Sequence, residues 1–180
     1  MNIKKAVKEG IAILKNSSVI TPELDAEIIL AKVLNSNRKY IILNNHKELT
    51  DKNLDNFKKL IKERAKRKPI AYLLNKKFFW NSEFCVNKNT LIPRPDTEIL
   101  VEEILRLTKN KNKLNILDIG VGSGCILLTI LKERKNFFGS GIDISKKSLD
   151  ISKINANNLN VSSRVKFYKS DIDKFVKGKY

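Results

Sequence analysis

One short run constrains this chain more than any other: Asp118-Ile119-Gly120-Val121-Gly122-Ser123-Gly124. An apolar stretch, Leu114 to Ile119, reads as a buried strand leading into it, and a helix-forming stretch from Cys125 to about Glu133 follows. Glycines let the backbone turn tightly and leave no Cβ in the way of an approaching ligand. The helix that follows points the free N–H groups of its first turn into the same crevice. The pattern then repeats, with a strand expected up to Ile144, a helix from Ser145 and a strand near Val165 to Tyr168. Strands and helices alternating at this spacing make βαβ units and a parallel sheet. About twenty residues past the glycines, Asp143 ends the second strand, where a carboxylate can accept hydrogen bonds from both hydroxyls of a ribose.

The N-terminal part has another texture. Ile3, Val7, Ile11 and Leu14 recur at helical spacing. Thr21-Pro22-Glu23 reads as a helix start, a hydroxyl at the cap and a proline in the first turn. Leu24, Ile28 and Ala31 carry that helix to about Leu34, and a shorter one follows Ser36, through Tyr40 to Leu43. Thr50 or Asp51 caps the next, with Leu54, Phe57 and Ile61 on one face and Lys58, Lys59, Lys62 and Arg64 on the others. These segments predict a small helical bundle. From Pro69 the texture changes. Lys77 to Val86 is aromatic and β-leaning, a hairpin expected to join two domains. Leu91 to Pro95 is extended because each proline biases its predecessor away from the helical region. Asp96 is expected to cap a helix with Ile99, Leu100, Ile104 and Leu107 facing inward. The expected division is a helical domain over 1–72, a hairpin linker over 73–95 and a nucleotide-binding domain over 96–180.

Composition bounds the functions. With 180 residues, 42% of them hydrophobic, the chain has material for a real core and is not a disordered one. Its 36 Lys and Arg against 19 Asp and Glu leave a net charge of +17. That excess fits an anionic partner, and it equally fits the Lys, Asn and Ile bias of an AT-rich genome, because the lysines are spread along the chain. No block of them marks a direct nucleic-acid site. Cys85 and Cys125 match no zinc or redox spacing and sit among apolar neighbours, so they read as core residues in a reducing compartment. No metal site is expected. The N-terminus has no apolar signal region and no apolar run approaches a membrane span, so a soluble cytoplasmic protein is expected. His46, in a polar stretch, reads as a surface residue.

Several nucleotide classes share the strand, glycine turn and helix. A phosphate P-loop needs Gly-Lys-Ser/Thr, and Gly124 is followed by Cys125 and Ile126. The dinucleotide fingerprint needs glycine or alanine where Cys125 stands, which weighs against a dinucleotide-dependent enzyme. The Gly-x-Gly-x-Gly run preceded by Asp118 instead resembles motif I of the class I methyltransferases, which bind S-adenosylmethionine.

Flanking sequence narrows the resemblance. Pro69-Ile70-Ala71-Tyr72-Leu73-Leu74, Phe79-Trp80 and Leu91-Ile92-Pro93-Arg94-Pro95-Asp96-Thr97-Glu98 closely resemble the domain junction of the release-factor glutamine N5-methyltransferases (PrmC, also called HemK). Leu24-Asp25-Ala26-Glu27 resembles that family's helical substrate-recognition domain. The resemblance implies an α/β fold class, an N-terminal helical bundle followed by an incomplete Rossmann-like class I methyltransferase domain. It implies methyl transfer from S-adenosylmethionine to the glutamine of a Gly-Gly-Gln motif, with peptide chain release factors as partners, near the ribosome and away from membranes. Carried over by residue, Gly120, Val121, Gly122, Ser123 and Gly124 would line the methionine and ribose, and Asp143 would hold the ribose hydroxyls. Asp171 would meet the adenine amino group and Ile172 would wall the base. Asn75 stands where the family usually carries glycine, and asparagine tolerates positive φ better than most residues. Arg94 would either meet a carboxylate or pin the junction, and Trp80 reads as core.

The amide nitrogen is a poor nucleophile, since its lone pair is delocalised into the carbonyl. The family orients it with an Asn-Pro-Pro-Tyr motif after the fourth strand, and no such motif occurs in these 180 residues. The chain stops at Tyr180, about where that strand should begin, and reads as a member truncated before its catalytic motif. An alternative is a non-catalytic fragment or binding module that retains release-factor docking.

Overall fold

Five helices form the first of two units in the computed structural model, which describes residues 1–175 and divides between Leu74 and Asn75. Helix α1 (Ile3–Asn16) starts where the Asn2 side chain accepts the Lys5 N–H at 3.0 Å, and it buries Ile3, Ala6, Gly10 and Leu14 along one stripe. In α2 (Pro22–Val33) the Thr21 side chain makes no cap bond. Its hydroxyl donates instead to Asp25 Oδ1 at 3.1 Å, while Arg64 Nε donates to Asp25 Oδ2 at 2.7 Å. Arg64 is therefore no solvent-facing charge. Asp25 is 3% exposed, and a carboxylate that deep needs a charged partner. A short α3 (Arg38–Leu43) is capped by Asn37, and α4 (Asp51–Ala65) takes Thr50 as its cap, the hydroxyl accepting the Asn53 N–H at 3.3 Å. Helix α5 (Ile70–Leu74) closes the unit. Leu14, Ile29, Leu30, Phe57 and Ile61 fill its core.

The second unit begins with Asn75 at φ +57°, the positive value its sequence position calls for. Strands β1 (Lys76–Phe79) and β2 (Ser82–Cys85) pair antiparallel, Phe79 opposite Ser82. This hairpin packs into the second unit: Phe79 and Phe84 are fully buried in its core and meet edge-on at 6.1 Å. Trp80 packs partly buried against the same core, its backbone N–H on Glu98 Oε1 (2.7 Å) and its indole N–H on Glu133 Oε1 (3.0 Å).

Helix α6 (Thr97–Leu107) departs from expectation twice. Asp96 makes no side-chain cap bond, because the turn from Arg94 already winds into the helix and gives Asp96 a helical backbone (φ −60°, ψ −24°), where a capping residue is normally extended. The inward face is Val101, Ile104 and Leu105, while Ile99, Leu100 and Leu107 are exposed. The helix meets α7 along one line, and only positions at i, i+3 and i+4 reach it.

Strands β3 (Asn115–Ile119), β4 (Phe138–Asp143) and β5 (Val165–Lys169) form a parallel sheet in that order, with Asp118 opposite Gly141 and Asp143 opposite Lys169. Helices α7 (Cys125–Glu133) and α8 (Lys146–Asn158) are the crossovers. β3 is not the buried strand expected. Asn115 and Ile119 are exposed and the rest only half-buried, because β3 is an edge of the sheet among the described residues. Among those residues no helix is long and apolar enough to cross a membrane.

Candidate functional site

The carboxyl ends of three neighbouring parallel strands bring the polar candidates to one edge of the sheet. β3 carries Asp118 one residue before its end and runs into the glycine turn, β4 ends in Asp143, and β5 leads into Ser170 and Asp171. Open parallel sheets bind ligands at this edge.

The turn is wound by three left-handed glycines, Gly120 (φ +75°), Gly122 (φ +55°) and Gly124 (φ +79°). The N–H groups of Gly120 and Val121 both donate to the Ile142 carbonyl, at 2.9 and 3.0 Å, and that of Gly124 donates to Val121 O at 2.7 Å. A Cβ built on Gly120 meets no atom within 4 Å, so its open side is available to a ligand. The Val121 and Ser123 side chains are both buried. Val121 is buried against Gly141, and Ser123 is 3% exposed with its hydroxyl on the Cys125 thiol.

Asp143 holds the turn as well as facing it. Its Oδ2 accepts the Gly122 N–H at 3.1 Å and its Oδ1 the Ser145 N–H at 2.8 Å. A carboxylate has about four lone-pair sites, so acceptor capacity remains for a ligand's hydroxyls. The Ser170 N–H donates to Asp143 O at 3.2 Å, which brings the Asp171 segment alongside. Asp171 and Ile172 are both exposed.

Asp118 is the electrostatic anomaly. Burial pushes its pKa up to about 6; the Leu127 backbone N–H pulls it down, and the Asp143 charge adds to the rise. Burial also raises the Cys125 thiol, with the Ser123 hydroxyl opposing, so this cysteine is a poor nucleophile. No group of three or more metal-ligating side chains occurs among the described residues.

Sequence reasoning missed the polar underside of the turn. Ser152 Oγ donates to Gly122 O at 2.7 Å, and Asn155 Nδ2 donates to Ser123 O at 2.8 Å, both side chains being fully buried in α8. Asn155 also accepts the Cys85 N–H at 2.6 Å and donates to Cys85 O at 3.0 Å, tying hairpin to turn. A signal existed: Ser148, Ser152 and Asn155 recur at helical spacing on a face that also carries Leu149 and Ala156. Arg94 lies exposed in the loop before α6, and His46 is exposed in the first unit.

Comparison with known proteins places this arrangement. Residues 5–74 match the model of the PrmC N-terminal domain, and residues 110–180 that of a methyltransferase domain. The release factor glutamine methyltransferase of Buchnera aphidicola subsp. Acyrthosiphon pisum is 42% identical over 171 residues, 95% of this chain and 60% of the relative. The chain is similar to release factor glutamine methyltransferases over most of its length. The relatives of that name from Leptospira interrogans and Caulobacter vibrioides are 38% and 35% identical, over 95% and 88% of this chain. The chain spans between 55% and 60% of the length of these three relatives. Its fold is a helical N-terminal unit followed by a Rossmann-like methyltransferase domain with a parallel sheet.

Proposed function

We propose that this chain serves methyl transfer from S-adenosylmethionine to the glutamine side chain of peptide chain release factors, with the crevice binding the cofactor and the helical unit recognising the protein substrate. The observation that carries the reading is the Asp143–glycine-turn clasp at the carboxyl edge of the sheet, in a chain that matches release factor glutamine methyltransferases over nearly its whole length.

The residues present fit the cofactor. The open face of Gly120 leaves room where a side chain would intrude, and Asp143 keeps acceptor capacity for two hydroxyls. Asp171 and Ile172 are assigned to the adenine, as acceptor for its amino group and as an apolar wall. When bound, S-adenosylmethionine supplies an electrophilic methyl group on a sulfonium. The chain's own part is to position it, and positioning is a large share of catalysis in such a transfer. The residues that would orient the glutamine amide are not among these 180, since no Asn-Pro-Pro-Tyr is present. The chain as given is therefore expected to bind S-adenosylmethionine without methylating a release factor.

Titration calorimetry tests the crevice. Asp143→Ala is expected to weaken S-adenosylmethionine binding by roughly 1.5–3 kcal/mol, the loss of a charged hydrogen-bonding group. Equal affinity in the variant removes the ribose assignment. Incorporation of labelled methyl groups tests the rest: turnover by the 180-residue chain alone would show that the amide is oriented by residues not identified above.

A further inference from the structure

The buried polar stripe of α8 has a task beyond packing. Ser152 Oγ lies 2.7 Å from Gly122 O, and Asn155 Nδ2 lies 2.8 Å from Ser123 O. Two successive carbonyls of the glycine turn are thus drawn down onto one helix. Across a trans peptide the next N–H points opposite to the carbonyl, so anchoring Gly122 O sends the Ser123 N–H away from α8. Asp143 fixes the preceding peptide through the Gly122 N–H. With φ positive at Gly120, Gly122 and Gly124, this segment has more conformational freedom than any ordinary loop and needs such anchors to hold one shape.

We propose that Ser152 and Asn155 are positioning residues that set the conformation of the glycine turn and keep its carbonyl dipoles out of the crevice. This rests on the reading of the crevice as a cofactor site. Neither side chain would touch the ligand; both act through the backbone they hold. Asn155 also carries the hairpin into the arrangement through its two bonds to Cys85.

The test uses the whole 180-residue chain. Ser152→Ala deletes one hydroxyl, and Ser152→Thr restores it. Asn155→Asp keeps the acceptor for Cys85 and loses both donors. Val161→Ala, which trims a buried side chain beyond the end of α8, serves as the stability control. Two quantities are read: affinity for S-adenosylhomocysteine by calorimetry, and hydrogen exchange of the turn amides in the ligand-free protein. Ser152→Ala should bind about five- to tenfold more weakly, the equivalent of one hydrogen bond, Asn155→Asp, which gives up two bonds, more weakly still, and the turn amides of both should exchange faster. Ser152→Thr should return both readouts to wild type. Val161→Ala should lower the melting temperature with neither effect. Unchanged exchange in Ser152→Ala, or equal loosening in Val161→Ala, overturns the proposal. Should the wild-type chain bind no S-adenosylhomocysteine while Ser152→Ala still loosens the turn, the turn-holding role is supported and the cofactor reading is what fails.

Discussion

Asp118 shows how one residue's surroundings change its chemistry. As the last acid before the glycines it looks like an ordinary ligand of the site, yet burial raises its pKa to about 6, with the Asp143 charge adding to the effect. Its folded pKa lies above the value near 3.9 of an unfolded aspartate. The stability it contributes is therefore present in full below about pH 4 and is lost as pH rises through about 6. Asp118→Asn removes that loss while keeping an oxygen for the Leu127 N–H. The variant should be more stable than wild type by roughly 2 kcal/mol at about pH 7.5, the gain shrinking as pH falls toward 4. Urea midpoints at the two ends of that range check it, and a difference that does not vary with pH would refute the assignment. The candidate site residues legible in the sequence were those with a local signature, the glycines and Asp143. Asp118 stood in the motif, but its bond from the Leu127 N–H of α7 and the nearness of the Asp143 charge did not, because both partners come from other elements.

At the scale of elements, β4 is unusual for a central strand in carrying two glycines, Gly139 and Gly141. Glycine usually weakens a strand, and here close approach explains it. A Cβ on Gly141 would stand 2.9 Å from both Val121 Cγ2 and Phe167 Cδ1. Gly141→Ala should thus cost about 1–3 kcal/mol through overpacking, and it pushes on Val121 inside the turn. Thermal melting measures the first effect, and a variant as stable as wild type would show that the turn gives way easily. Element types and most boundaries were readable from periodicity and turn residues: α7 begins at Cys125 and ends at Glu133 as expected, and Ser145 caps α8. The inward face of α6 was not. Ile99, Leu100, Val101, Ile104, Leu105 and Leu107 offer more than one apolar stripe, and only the partner helix chooses among them.

For the molecule as a whole, the two units have separate cores, one built on Leu14, Leu30 and Phe57, the other on Phe84, Leu127 and Leu131. A unit with its own core is expected to fold alone. Residues 1–74 expressed by themselves should give a helical far-ultraviolet spectrum and a cooperative melt; a random-coil spectrum would contradict this. Charge adds little to that stability. Most ion pairs among the described residues are solvent-facing and worth about 0–1 kcal/mol each. The Asp25–Arg64 pair is the buried exception, and losing either partner there leaves a charge in the core.

What the amino-acid sequence determined by itself was whatever depends on neighbours along the chain. That covers the helical texture of the first unit, the hairpin, the βαβ order, the glycine turn and the acid that ends β4. It also covers the resemblance to the release-factor methyltransferases, carried by the Leu91–Glu98 stretch. Only the tertiary structure decided which buried polar groups meet. Arg64 reaches Asp25 from a different helix, and Asn155 reaches Ser123 and Cys85 from across the unit. The physical reason is common to both. A buried donor or acceptor must find a partner, but periodicity records only that a position is buried, and the partner lies on an element whose distance along the chain says nothing about its distance in space.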